Sequence, residues 1–271
     1  PTLRRDLARI VQAASSMGLH VSLTTNARLF SYRGAADAIA RSGLRSAVVQ
    51  LCGSDAALHD EVTGSESFVQ TVEGVTNLLA AGVDVSVEVP VCAGNAGRLT
   101  EVGLLAASLG ASSIRFRLVE AGTFDRVDVV PDLVSAAAAV TSAVKAVDAI
   151  PGGPEAWYAD FPCCLLPDLK GREAPGHRAE GSIRLVPSSE APAGSVASGN
   201  DIDGMACVIS ALPGGSPARA MPFPCAACEL RGGCSTVEDV IVRAGAAVGI
   251  HLPLHSAAGV EFRCEGKVDS F

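Results

Sequence analysis

The sequence predicts an α/β fold of about four parallel strands with helices between them, followed by a loop-rich extension that carries cysteines. Two observations support this. Strand-like and helix-like patterns alternate through residues 1 to about 150, with a strand roughly every 30 residues, the repeat of a strand, a crossover helix and a turn. From Pro151 to Pro222 the chain then turns rich in Pro, Gly, Ser and Ala, with Ser182 to Val186 as its one clear strand. The chain therefore divides into an α/β part, 1–150, and an extension, 151–271.

Leu3, Leu7, Ile10, Val11, Ala14 and Met17 recur at helical spacing, with Thr2 available as a cap and Gly18 as the stop. Val21 to Thr25 reads as a short strand, and Asn26 opens the loop beyond its C-terminal end. Ala35 to Arg41 is a second helix closed by Gly43, and Ser46 to Cys52 a second strand running into Gly53. Ser67 with Gln70 forms a capping box for a helix whose apolar face is Phe68, Val72, Val75 and Leu79. Val83 to Val91 alternates with a period of two, which sets Asp84, Ser86 and Glu88 on one side. A helix through Leu99, Val102, Leu105 and Leu109 stops at Gly110, and Ile114 to Glu120 is the next strand, with Arg115 and Arg117 opposite Phe116. Pro131 opens a last helix through Leu133, Ala137, Val140, Val144 and Val147.

Such alternation makes a parallel sheet, either a barrel or an open doubly wound sheet, and in both the function sits at the C-terminal ends of the strands. If Glu88 and Arg117 point away from the helices they line a site. No G-x-G-x-x-G follows a strand and no G-x4-G-K-[ST] occurs, so neither a dinucleotide nor a P-loop nucleotide is supported.

Composition narrows the partners. The 271 residues are 48% hydrophobic and 18% charged, enough to bury a substantial core. A net charge of -8 opposes nucleic acid or an anionic membrane as partner. No apolar run approaches the roughly 20 residues of a membrane span. Nine cysteines, an odd number in a large alanine-rich chain without a leader, favour a reducing cytoplasm with thiols kept for metal.

Three of those thiols stand together as Cys225-x2-Cys228-x5-Cys234, with Gly232-Gly233 letting the chain turn back. Soft ligands at this spacing suit zinc or an iron–sulfur cluster; buried free thiols, or a disulfide with a spare cysteine, are the plainer reading. A fourth ligand has to come from elsewhere. Cys164, after Phe161-Pro162, is the preferred candidate and Cys163 its substitute, with Cys207 and Cys264 behind them. Cys52 and Cys92 read as core thiols. His251 and His255 lie too far from Cys228 for a compact finger, and Pro253 separates them.

Several segments have a family likeness. Pro1 to Leu7 resembles the end of a Gly-Gly-Glu-Pro segment and the helix after it. Gly18 to Asn26 is similar to a third barrel strand ending in Thr-Asn. Val49 to Gly53, with His59-Asp60 and Thr63 to Phe68, is similar to a fourth strand and its loop, and Val87 to Asn95, with Leu99-Thr100-Glu101 and Leu109-Gly110, to a fifth. In this order the pieces resemble the radical SAM enzymes, and the distal cysteines resemble the auxiliary-cluster extensions of their SPASM and Twitch members. Glu238 stands where those extensions carry a further cysteine, which fits a reduced, Twitch-like single-cluster form; Thr236, where a glycine is usual, and Ile241, where a tyrosine is, also depart from the tail pattern.

The resemblance implies a partial (β/α)6 TIM-like barrel. It also implies reductive cleavage of S-adenosylmethionine at a 4Fe–4S cluster to a 5′-deoxyadenosyl radical, which takes a hydrogen from a peptide or small-molecule substrate. An electron donor such as a flavodoxin or ferredoxin, and one auxiliary 4Fe–4S cluster on Cys164, Cys225, Cys228 and Cys234, go with it. Asn26, Gln50 and Glu88 are the expected cofactor or substrate contacts, and Thr63 stands where many relatives carry an arginine. The C-x3-C-x2-C loop of the radical-generating cluster does not occur in this sequence. It is expected upstream of Pro1, so this chain alone is not expected to perform the reaction. The alternative from another class is a zinc-steadied α/β binding protein without radical chemistry. An aldolase-like barrel is disfavoured because Lys145, Lys170 and Lys267 all lie outside the strands.

Overall fold

The computed structural model describes residues 1–119, 129–162 and 165–174 in full, and the backbone of 182–187, 205–210, 253–255 and 261–263. Five strands form one parallel sheet: β1 (Ser22–Thr25), β2 (Ser46–Gln50), β3 (Asp84–Val91), β4 (Ser113–Leu118) and β5 (Glu155–Ala159). Their order in the sheet is their order in the sequence. Between them run α1 (Leu7–Ser16) before β1, α2 (Arg33–Arg41), α3 (Ala56–Thr63), α4 (Phe68–Ala80), α5 (Leu99–Ser108) and α6 (Leu133–Asp148).

Sequential order decides between barrel and doubly wound sheet. Crossovers between parallel strands are right-handed as a rule, so a chain that always adds the next strand on the same side keeps its helices on one face. A doubly wound sheet reverses strand order and covers both faces. The core follows the first pattern. Val87, Val89, Ile114, Phe116, Ala156 and Tyr158 pack with Val102 and Ala106 of α5 and Val140 and Val144 of α6. Leu23, Ala47, Val49 and Val85 pack with Val11 of α1, Ile39 of α2 and Val75 and Leu78 of α4. The alternate strand residues face the other way, and the sheet is a partial (β/α) barrel.

Several local expectations change. Strand β5 lies in the stretch read as loop and is a fifth strand where about four were expected, carrying the sheet past residue 150. Beyond it, the Tyr158 N–H donates to the Arg172 carbonyl at 3.0 Å and the Ala174 N–H to the Tyr158 carbonyl at 2.7 Å, a parallel bridge on the outer edge of β5. The opposite edge strand, β1, pairs only with β2 among the described residues. Helix α3, capped by the Asp55 carboxylate on the Leu58 N–H, replaces an expected loop.

The capping box of α4 does not form. Asp60 Oδ1 accepts from the N–H groups of Ser67 and Phe68 at 2.8 and 2.9 Å, while Gln70 accepts from Arg28 Nε. A carboxylate that receives two backbone donors displaces the weaker hydroxyl cap. Helix α1 begins at Leu7 rather than near Thr2.

The strand expected at 182–186 is present as β6 (Ser182–Pro187), antiparallel to β7 (Met205–Ser210), in a separate compact unit, Pro175–Ala220. A short antiparallel pair, β8 (Pro253–His255) with β9 (Glu261–Arg263), completes the described elements. No helix among the described residues is long and apolar enough to cross a membrane.

Candidate functional site

Among the described residues one face of the sheet carries no helix, and the polar side chains of the strands gather there. The strand registers pair Gln50 with Glu88, Glu88 with Arg115, and Arg115 with Trp157, so four adjacent strands place these side chains in one row. The next row toward the strand C-termini is Pro90, Arg117 and Ala159, and the row before it Thr24, Val48, Ser86, Ser113 and Glu155. Because β3 alternates, its helix side is an unbroken line of Val85, Val87, Val89 and Val91 while its other side reads Asp84, Ser86, Glu88, Pro90.

Glu88 is the most enclosed charge of this face, at 6% exposure. Arg115 Nη1 approaches its Oε2 at 3.5 Å and Arg117 Nη1 at 3.8 Å. Arg117 Nε in turn donates to Asp160 Oδ2 at 2.6 Å, a short charge-assisted bond. Asp160 sits in the left-handed region, φ 63°, a costly place for a residue other than glycine. Two guanidiniums between two carboxylates thus link β3, β4 and the end of β5. Trp157 is half-buried, with the Arg172 guanidinium 5.9 Å from its ring centroid and Arg172 itself tied to Asp148 at 3.0 Å.

Asn95 locks the ends of β2 and β3 together. It is wholly buried; its Oδ1 accepts from the Cys92 N–H at 3.0 Å, and its Nδ2 donates to the carbonyls of Cys52 at 2.9 Å and Pro90 at 2.7 Å. His59 Nδ1 accepts from the Cys52 N–H at 3.2 Å, its ring edge-on to Phe68, and burial pushes its pKa below the ordinary histidine value. Gly53 lies against the backbone of His59, where a Cβ would collide. Cys52 and Cys92 are buried free thiols, as expected of core cysteines, and burial pushes the Cys52 thiol up to about 12.

Of the expected contacts, Gln50 and Glu88 are neighbours in the row. Asn26 follows the last β1–β2 pair directly; it is exposed, with its Oδ1 accepting from the Arg28 N–H at 3.3 Å. Thr63 lies at the end of α3, where its hydroxyl donates to the Ser65 carbonyl at 3.0 Å and closes the turn into α4. The proposed cluster ligands Cys163, Cys164, Cys225, Cys228 and Cys234 lie outside the described residues. No group of three His, Cys, Asp or Glu among the described residues is arranged to hold a metal ion. Sequence reading missed Trp157, because β5 was missed, and it missed Asp160 and Asn95, whose roles depend on loop contacts.

Comparison with known proteins bears on what this face serves. No family model matches the chain. It is 30% identical over 124 residues to an AdoMet-dependent heme synthase of Oleidesulfovibrio alaskensis, 45% of this chain and 32% of that protein. It is 32% identical over 123 residues to the mycofactocin maturase MftC of Mycolicibacterium smegmatis, 45% of this chain and 31% of that one. A PqqA peptide cyclase of Streptomyces rochei is 28% identical over 166 residues, 59% of this chain and 45% of that protein. These likenesses indicate the radical SAM superfamily for this chain. It spans less than half the length of each of these relatives.

A radical SAM protein uses S-adenosylmethionine and an iron–sulfur cluster, and the donor set fits the two differently. The amide of Gln50 and the carboxylate of Glu88 offer acceptors, and Gln50 a donor, suited to the hydroxyl, amino and cationic groups of S-adenosylmethionine. The described residues do not fit the radical-generating cluster, since no three thiols converge among them.

Proposed function

We propose that this chain supplies the cofactor- and substrate-facing wall of a radical SAM enzyme acting on a peptide. One observation carries the reading: Gln50, Glu88, Arg115 and Trp157 form a single row on the helix-free face of a parallel sheet, toward the strand ends where such barrels keep their sites. S-adenosylmethionine with a 4Fe–4S cluster would supply a hydrogen-abstracting radical when bound. This chain binds and orients. Gln50 and Glu88 would hold the cofactor's polar groups, with Asn26 beside them and Thr63 a further contact, and the two arginines hold the Glu88 side chain in place.

A peptide substrate is favoured by the likeness to the PqqA peptide cyclase. In the same reading Cys225, Cys228 and Cys234, with Cys164 or Cys163, hold one auxiliary 4Fe–4S cluster, and a small electron donor such as a flavodoxin or ferredoxin serves the reduction. No observation favours the zinc-steadied binding protein.

The test is 5′-deoxyadenosine release from S-adenosylmethionine and dithionite by the anaerobically reconstituted full-length gene product. Glu88→Gln and Gln50→Ala are each expected to lower kcat/KM for S-adenosylmethionine at least about tenfold, the effect of losing one charge-assisted or well-placed hydrogen bond. Unchanged values for both variants would refute the assignment. For the extension, Cys225→Ala should remove the broad iron–sulfur absorption near about 400 nm that belongs to the auxiliary cluster.

A further inference from the structure

The row of side chains changes character along its length. On β2 and β3 it offers a neutral amide and a carboxylate; on β4 and β5 it offers the Arg115 guanidinium and, paired with it in register, the chain's single tryptophan, Trp157. Neighbouring strands lie about 4.8 Å apart, so the row runs about 14 Å from Gln50 to Trp157. That is room for two groups side by side.

The two arginines are engaged differently. Arg117 is fixed by its 2.6 Å bond to Asp160, whereas the ion pair Arg115 makes with Glu88 spans 3.5 Å, longer than a charge-assisted hydrogen bond. A guanidinium carries five donors, and the Arg115 side chain is 25% exposed, so it has N–H groups to give to an anion. Next to it the indole of Trp157 is backed by Arg172, which Asp148 anchors. A cation beside a held aromatic surface matches a carboxylate on a short apolar stem.

We propose that Arg115 and Trp157 form the substrate half of the wall and select a peptide residue bearing a carboxylate. The guanidinium receives the carboxylate and the indole covers the adjoining carbons. The inference rests on the reading that this face lines the site. The carboxylate belongs to an acidic side chain or to the peptide's C-terminus.

Trp157 is its own reporter. The 271-residue chain is titrated with acetyl-Ala-Glu-Ala-amide, acetyl-Ala-Gln-Ala-amide, acetyl-Ala-Ala-Ala with a free C-terminus, and separately with S-adenosylmethionine, following tryptophan emission. One carboxylate peptide should bind about tenfold more tightly than the glutamine peptide, and which one does so identifies the source of the carboxylate. Arg115→Gln should abolish the preference and Arg115→Lys retain part of it, with unchanged far-UV circular dichroism in both. Equal Kd values, no emission change with any peptide, or a preference that survives in Arg115→Gln overturns the proposal. So does an Arg115-dependent response to S-adenosylmethionine in place of the peptides, which assigns that carboxylate to the cofactor. S-adenosylmethionine binding that is indifferent to Gln50→Ala and Glu88→Gln overturns the cofactor assignment instead, and leaves a peptide preference standing by itself.

Discussion

Replacing Asn95 by alanine tests the idea that one amide sets the spacing of the two strands carrying Gln50 and Glu88. The side chain is fully buried and makes three hydrogen bonds, to the Cys92 N–H and to the carbonyls of Cys52 and Pro90. Deleting it strands one buried donor and two acceptors. At about 1 to 3 kcal/mol for each orphaned group, and with a water entering the vacated space to satisfy part of them, Asn95→Ala should lose about 3 to 5 kcal/mol. That is a large part of the stability of an ordinary domain. Urea unfolding followed by far-UV circular dichroism should show a midpoint lower by about 1 to 2 M at unchanged slope. Asn95→Asp refines the test, because it keeps the acceptor for Cys92 but turns an oxygen toward two carbonyls. The introduced carboxyl is then held protonated above its ordinary range in the folded state. Folding takes up a proton, so the stability of this variant is highest at acid pH and falls as pH rises above the unfolded carboxyl value of about 3.9. A loss below about 1 kcal/mol in Asn95→Ala, or an Asn95→Asp variant indifferent to pH, would refute the reasoning.

Other outcomes follow from the same geometry. Gly74→Ala should destabilise by about 1 to 2 kcal/mol: alanine gains about 1 kcal/mol of helix propensity, but its Cβ runs into the Ala27 carbonyl where α4 crosses the loop after β1, and a higher Tm would contradict this. The depressed pKa of His59 gives stability that is complete above about pH 6.5 and is lost as pH falls through the lower folded value, because the unfolded state takes the proton first. Between pH 7 and pH 5 the wild type should therefore lose more stability than His59→Gln, measured by paired urea titrations. With its thiol pushed up to about 12, Cys52 should resist iodoacetamide at pH 8 until the chain is unfolded, as read by peptide mass spectrometry; rapid native labelling would mean the β2 end opens.

What the sequence disclosed followed from periodicity. Val83 to Val91 alternates over nine residues, and the structure has Asp84–Val91 as the central strand; the glycines that close the helices stand at left-handed turns, as at Gly43, Gly82 and Gly110. Strand β5 was hidden because its five residues lie between Gly152-Gly153-Pro154 and Phe161-Pro162, turn-forming on both sides, and its definition comes from pairing with β4 some 40 residues away. Helix α3 was hidden because it buries only Leu58 and His59, although Asp55 before it and Gly64 after it mark its ends. At the site, alternation separated Glu88 from its valine neighbours but gave no sign of which side the helices take. Asn95 closes the segment that resembles a fifth barrel strand, but nothing in the sequence marks its three hydrogen bonds, which depend on two loops meeting.

The two faces of β3 tie fold to function. In a sheet covered by helices on both sides, a central strand is apolar throughout. Here Val85, Val87, Val89 and Val91 meet the helices, while Ser86 and Glu88 occupy the other side, flanked in register by Gln50, Ser113 and Arg115. Stability does not account for that side. Enclosing a carboxylate between two guanidiniums sacrifices hydration that the pairing only partly returns, and well-packed apolar residues of similar volume often serve a fold as well or better. The same polarity is what a ligand needs from a wall: a buried carboxylate and the guanidiniums that fix it, facing a space that no helix among the described residues fills. The asymmetry that makes the sheet half of a barrel is therefore also what makes its bare face a site, and both are written in one alternating strand.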